Sequence, residues 1–203
     1  MDKSKTYLAL GDSYTIGEAV ELKESFPFQL VSTLNDKGFN YADPKVIAVT
    51  GWTSKNLING IKSDHIQTTF DLVTLLIGVN NQYQGLPSEH FRKEFRILLD
   101  LAIAFSAAGK ESVYVLSIPD WSATPFGRNR DSETISSEVD LFNKICREET
   151  ELAGIAFIDI TPISRKANTD PHLTAEDRLH PSRKMYAEWV ALLASQIVQK
   201  AKN

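Results

Sequence analysis

The chain of 203 residues contains a single cysteine. No internal disulfide can form, and Cys146, in helix-like surroundings with Leu141, Phe142 and Ile145, reads as a small buried apolar residue. Cationic excess is missing too. With 22 Lys and Arg against 26 Asp and Glu, the net charge is −4 and the basic residues are scattered. Such a chain offers no broad positive field to phosphate backbones, so nucleic acid is not expected as a partner. Nor is any apolar run long enough to span a bilayer. The run after Met1-Asp2-Lys3-Ser4-Lys5 ends at Gly11 without a cleavage-like site, so no membrane insertion is expected. As written the chain reads as cytoplasmic, with a removed secretion leader as the alternative. Internal repeats, low-complexity tracts and Gly/Ser-rich linkers are absent as well.

What is present is ordinary for a soluble globular protein: 42% hydrophobic and 24% charged residues. The length favours one domain over residues 1–203, large enough to bury a core without disulfides or metals. Five short aliphatic or β-branched runs alternate with longer amphipathic segments: Tyr7 to Leu10, Val46 to Val49, Leu72 to Ile77, Val113 to Ile118 and Ala156 to Ile160. They are mostly apolar on both faces, as parallel strands covered by crossover helices must be. Helices are expected around Phe26, Leu30, Val31 and Leu34 with Gly38 as cap, and from Phe91 through Phe95, Leu98, Leu99, Ala102 and Phe105 to Gly109. Two more are expected around Val139, Phe142, Cys146 and Leu152, and around Met185, Trp189, Leu192, Leu193 and Ile197. Pro119 to Asp131 reads as a helix-poor surface loop near the site.

Ligands of open parallel sheets bind beyond the carboxyl ends of the strands. Four of the five strand exits carry polar residues suited to chemistry: Gly11-Asp12-Ser13, Thr50-Gly51-Trp52, Gly78-Val79-Asn80-Asn81 and, after the last strand, Asp177-Arg178-Leu179-His180-Pro181. A serine hydroxyl becomes a nucleophile when a histidine accepts its proton and a carboxylate orients that histidine. Ser13 sits in a tight turn that presents it outward. Asp177 and His180 are three residues apart, and Pro181 keeps His180 out of a helix, so both fit one short loop. Gly51 and Asn80 are candidate donors for an oxyanion, the one through its backbone N–H and the other through its amide. His65 and His90 have polar neighbours and read as solvated. His172, after Asp170-Pro171, is the competing base. Asp170, His172, Asp177 and His180 also read as a metal cluster, although such spacing is a weak metal signal.

The order of these blocks resembles the GDSL/SGNH hydrolase family, which is named for Ser, Gly, Asn and His in four blocks. All four are present here in that order over nearly the whole chain. The resemblance implies Ser13 as nucleophile and hole donor, Gly51 and Asn80 as further donors, and His180 as base oriented by Asp177. It also implies a three-layer, flavodoxin-like α/β fold with a five-stranded parallel sheet flanked by helices, and no metal or organic cofactor. Two departures stand out. Asn81 occupies the place where the family usually has Asp, which puts the ordering of that loop in doubt, and Tyr14 follows the nucleophile in place of Leu. A serine ester hydrolase acting on a short-chain ester, such as an acetylated carbohydrate, is the resulting expectation. A lysophospholipase or thioesterase on longer chains is the first alternative, with Trp52, Tyr83, Trp121 and Phe126 as candidate substrate contacts. A catalytically silent flavodoxin-like binding module is the second. Neither Gly-x-Gly-x-x-Gly nor Gly-x4-Gly-Lys-Ser/Thr follows any strand, which argues against flavin or nucleotide.

Overall fold

Each of the five apolar runs becomes a strand. In the computed structural model, which describes residues 3–202, these are β1 (Tyr7–Gly11), β2 (Lys45–Ala48), β3 (Leu72–Leu76), β4 (Val113–Leu116) and β5 (Ala156–Ile158). Met1 and Asp2 of the N-terminal segment lie outside the described residues. All strand pairs are parallel, in the order β2-β1-β3-β4-β5. The helices are α1 (Ser13–Ile16), α2 (Phe26–Asn35), α3 (Ser54–Asp64), α4 (Val79–Tyr83), α5 (Ser88–Phe105), α6 (Ser132–Leu152), α7 (Thr161–Arg165) and α8 (Arg183–Lys200).

Handedness turns this order into layers. The chain moves one way from β1 to β2 and the opposite way through β3, β4 and β5. Right-handed crossovers therefore put α2 on one face and α3, α5 and α6 on the other. The helix contacts agree: α2 packs on α8, and α5 packs on both α3 and α6. The direction reverses at β1, which opens a crevice between the carboxyl ends of β1 and β3, where parallel sheets hold their ligands. Ser13 follows the first of these strands and Asn80 comes shortly after the second.

Three expectations change at this level. The runs at β4 and β5 stop short because their last backbone groups leave the ladder. Ser117 Oγ accepts the Ile160 and Thr161 N–H groups at 2.8 and 3.0 Å, and the Ile118 N–H donates to Asn143 Oδ1 at 2.7 Å. The edge strands β2 and β5 are only partly covered, unlike β1, β3 and β4, which are buried throughout. Leu141, Leu152 and Leu192 face solvent on α6 and α8, so those apolar faces are narrower than the sequence pattern suggests. Cys146 is buried as expected, and burial pushes its thiol far above the ordinary range.

The last helix supports the first turn after β1. Trp189 of α8 is fully buried against Tyr14, Phe26 and Tyr186, with ring centroids 6.4, 6.4 and 5.1 Å away. The Tyr186 hydroxyl donates to the Tyr14 carbonyl at 3.1 Å. Truncating a buried aromatic of this size costs about 3–5 kcal/mol, and here it would also loosen the Ser13 turn.

Candidate active site

Ser13 opens the single-turn helix α1, and its placement rests on the two residues before it. A Cβ at Gly11 would lie 2.0 Å from Thr15 Oγ1 and 2.5 Å from the Leu76 carbonyl, so only glycine lets α1 and β3 approach this closely. Asp12 caps the turn by accepting the Tyr14 N–H at 3.1 Å. It is fully buried, and its Oδ2 has no partner among the described residues. Burial therefore pushes its carboxyl up to about 7, against the bonds from backbone N–H groups.

Asp177 and His180 lie on a loop that its own backbone closes. The Ala175 N–H donates to the His180 carbonyl at 2.8 Å, and the Ser182 N–H to the Leu173 carbonyl at 2.9 Å. Arg178 takes the left-handed conformation (φ 65°) that the tight bend requires. Asp177 Oδ1 accepts the Leu179 and His180 N–H groups, both at 3.0 Å. Its Oδ2 lies 2.5 Å from His180 Nδ1, and His180 Nε2 lies 3.0 Å from Ser13 Oγ. Burial acts to raise the Asp177 carboxyl, but the imidazole and the two N–H groups outweigh it and hold the group below the ordinary carboxylate range. The Tyr14 ring lies 5.4 Å from the imidazole.

Gly51 and Asn80 face the same cavity. The turn from Val49 to Trp52 closes through the Trp52 N–H on the Val49 carbonyl at 3.2 Å, with Gly51 at φ 81°. Thr50 donates to Glu18 beside it. The Asn80 amide donates one hydrogen to the Trp52 carbonyl at 3.0 Å, which fixes the amide while leaving its second N–H uncommitted. Asn81 reverses an expectation. It is buried, its Oδ1 accepts the Ser54 N–H at 2.9 Å, and its Nδ2 donates to Ser54 Oγ at 2.8 Å. Ser54 Oγ in turn donates a hydrogen bond to Glu94 Oε2 at 2.5 Å. A neutral amide thus braces the loop whose ordering the missing Asp puts in doubt.

The cavity of about 220 Å³ is lined by Ser13, Gly51, Asn80, Tyr83, Trp121 and His180, with Tyr14, Thr50, Val79 and Leu179 completing it. It is smaller than the ~300–1,000 Å³ typical of pockets for larger ligands. Hollows of about 600 and 580 Å³ lie elsewhere, at β2 with α3 and beside Asp120 with Arg165, and neither contains the Ser13–His180 pair. Of the four aromatic candidates, Tyr83 and Trp121 line the cavity and two do not. Trp52 turns away and packs over Gly60, where a Cβ would meet its ring at 2.2 Å; its ring lines the hollow at β2. Phe126 lies outside the lining, its ring tilted against that of Trp121 with centroids 6.2 Å apart. The Pro119 to Asp131 segment is also less superficial than expected. Asp120, Trp121 and Ser122 are buried, and Asp120 binds Ser122, Ser136 and Arg165.

Sequence reasoning missed Tyr14, Thr50, Val79 and Leu179 as lining residues, although each adjoins a motif residue and that adjacency was the available signal. The competing base His172 is exposed, and its backbone is tied to Asp170 and Ser182. His65 and His90 are solvated as expected. Among the described residues no group of three or more His, Cys, Asp and Glu is placed to hold a metal, and Asp170 pairs instead with Lys184. No helix among them is long and apolar enough to cross a membrane.

A hydroxyl, an imidazole and a carboxylate in one hydrogen-bonded line, at the carboxyl edge of a parallel sheet with helices on both faces, define a hydrolase architecture of the three-layer α/β class. The chain belongs to the GDSL-like lipase/acylhydrolase family, whose model matches residues 9–188. Among solved structures it is similar to a lipase/acylhydrolase from Enterococcus faecalis, with TM-score 0.74, 20% identity, and coverage of 98% of this chain and 96% of that one. It is similar to an acetylxylan esterase from Geobacillus stearothermophilus, with TM-score 0.71, 16% identity and 97% and 93% coverage. A phospholipase A1 from Streptomyces albidoflavus has TM-score 0.70, 16% identity and 95% and 99% coverage. At these identities the likeness is one of fold. No curated protein matches the chain in sequence.

Proposed function

We propose that this chain is a serine ester hydrolase, one catalytic domain over residues 1–203, that works through an acyl-enzyme on small esters with short acyl groups, acetylated carbohydrates among them. The observation that carries the reading is the line from Asp177 Oδ2 through His180 to Ser13 Oγ, with steps of 2.5 and 3.0 Å, ending in a small cavity beside Asn80 and Gly51.

In this mechanism Ser13 Oγ attacks the ester carbonyl carbon while His180 Nε2 takes its proton. The tetrahedral oxyanion faces the free N–H of Asn80 and the backbone N–H groups of Ser13 and Gly51. Asp177 holds the imidazole with its proton on Nδ1, so that Nε2 is the acceptor, and stabilises the imidazolium that forms. His180 then gives the proton to the departing alkoxide, leaving an ester on Ser13. Water, deprotonated by His180, attacks that ester, releases the carboxylic acid and restores the hydroxyl.

The small cavity favours acetyl and other short acyl groups. Longer chains, as in lysophospholipids or thioesters, are the second reading, favoured by the apolar lining of Val79, Leu179 and the half-exposed Tyr83 that leads out to solvent. Hydrolysis of p-nitrophenyl esters from acetyl to palmitoyl by the wild type and by Ser13→Ala tests both. We expect activity that peaks at short chains and vanishes in the variant. A palmitoyl optimum selects the second reading, retention by Ser13→Ala overturns the mechanism, and inactivity of the wild type on every ester leaves a narrow natural substrate or a silent binder.

A further inference from the structure

Beside the cavity, a cation rests on a platform of three rings. The Arg130 guanidinium lies 4.9 Å from the ring centroid of Phe126, 5.6 Å from that of Trp121 and 5.7 Å from that of Tyr83. Tyr83 and Trp121 also line the cavity that holds Ser13 and His180. We propose that Arg130 is a substrate-recognition residue that receives an anionic group, a carboxylate, carried on the ester. The inference rests on the ester-hydrolase reading and names its substrate class more narrowly.

Trp121 anchors the platform. Trp121 is buried, its indole donates to Gln82 Oε1 at 2.8 Å, and Gln82 donates in turn to Glu138 at 2.7 Å. The Tyr83 ring meets Trp121 edge-on at 5.3 Å. The Phe126 N–H donates to the Arg178 carbonyl at 3.1 Å, which ties the platform to the loop of Asp177 and His180. A guanidinium lying over aromatic faces keeps its charge and its in-plane N–H fork, and that fork matches a carboxylate edge in bidentate fashion.

Among the described residues Arg130 makes no ion pair, as is also true of Arg178, but Arg130 is the one that lies over the three rings. Arg128 donates to the Ala167 and Asn168 carbonyls, Arg165 pairs with Asp120 and Asp140, and Arg147 pairs with Asp159. The neighbouring Asp131 is turned to Thr134, where it caps α6. Among the described residues no carboxylate lies within 4.0 Å of Arg130, and the residue is exposed. A neutral acetyl or butyryl ester has no use for such a group. A carboxylate carried on the ester would find its partner across the two rings, Tyr83 and Trp121, that Arg130 shares with the cavity.

The test measures binding, so it does not depend on turnover. Ser13→Ala is titrated by calorimetry and tryptophan fluorescence with two monoanionic esters, monomethyl succinate (charge on the acyl side) and O-acetylglycolate (charge on the alcohol side). Their neutral methyl esters serve as controls. We expect at least one monoanion to bind about tenfold more tightly than its control, as a charge-assisted bidentate contact should. Adding Arg130→Gln should erase that preference, Arg130→Lys should keep part of it, and salt should weaken it. Equal affinity of each anion and its control, no binding of either anion, or a preference that survives Arg130→Gln overturns the proposal. An anion preference that Arg130→Gln erases, in a wild type that hydrolyses neither monoanion, would instead strike the ester-hydrolase reading and leave Arg130 as a carboxylate-binding residue.

Discussion

Asp177→Asn is the perturbation whose outcome the geometry constrains most tightly. The two carboxylate oxygens have different duties. Oδ1 accepts two backbone N–H groups at 3.0 Å, and Oδ2 meets His180 Nδ1 at 2.5 Å. An amide in their place has one oxygen and one NH2 group. The NH2 cannot face two N–H donors, so the oxygen must keep the Oδ1 position and the nitrogen must turn to Nδ1. The imidazole then accepts at Nδ1 and carries its proton on Nε2, aimed at Ser13 Oγ 3.0 Å away. In that tautomer it cannot take the serine proton. A wrong tautomer in an otherwise intact triad lowers kcat by about 10⁴, which is roughly 5.5 kcal/mol of lost transition-state stabilisation. Steady-state hydrolysis of p-nitrophenyl acetate at pH 8 gives the measurement, with KM expected to change little. Asp177→Ala is the control: it leaves the imidazole free to adopt either tautomer, and water can satisfy the two N–H groups of this partly exposed loop, so its loss should be the smaller. Activity of Asp177→Asn within tenfold of wild type, or an alanine variant worse than the asparagine one, would refute the reasoning.

Asn80→Ala removes one hole donor and should cost about 10²–10³ in kcat, read in the same assay; an unchanged rate takes Asn80 out of the site. Asn81→Asp restores the residue usual in the family, yet Ser54 Oγ already donates its one hydrogen bond to Glu94. The new carboxylate would lack that donor and stability should fall by about 1–3 kcal/mol in urea melts at pH 7, whereas no loss would mean that the neutral brace is not needed. Asp12, raised from 3.8 to about 7, keeps its proton in the folded chain where the unfolded chain has lost it. Its share of stability is therefore complete below about pH 4, falls as pH rises and levels off above about 7. Asp12→Asn abolishes that fall, so its stability relative to wild type should improve by roughly 2–3 kcal/mol between pH 5 and 8; a constant difference between the two proteins would show that Asp12 is ionised throughout.

Much of the fold was legible because its signals are local. An apolar run bounded by turn residues is a strand whatever lies beside it, and the parallel order of such runs then constrains where the crossover helices lie. The geometry of the candidate site was legible for the same reason. Gly11, Asp12 and Ser13 form their turn among themselves, and Asp177 reaches His180 and two N–H groups within three residues. The helices α3, α4 and α7 escaped notice. The last two have five residues each, too few for a period to show, whereas α3 carries Ser54, Leu57, Ile58 and Ile61 at full helical spacing behind a Thr53 cap, a signal that the sequence did offer.

The misplaced residues share a different property: distant partners settle where they go. Trp52 adjoins Gly51 in the chain, yet its ring follows the room left by Gly60 on α3. Asn81 was judged by the charge it lacks, but its role comes from Ser54 and Glu94, which lie far from it in sequence. Trp121 gains a fixed indole only through Gln82 and Glu138, and that fixed ring is what turns Arg130 from a surface cation into a candidate contact. The proposed reacting groups of this chain are therefore written in short motifs, whereas the proposed substrate contacts are written in pairings between strand exits. Substitutions at Ser13 or His180 should act on turnover of every ester alike, and those at Tyr83, Trp121 and Arg130 should change which ester is preferred.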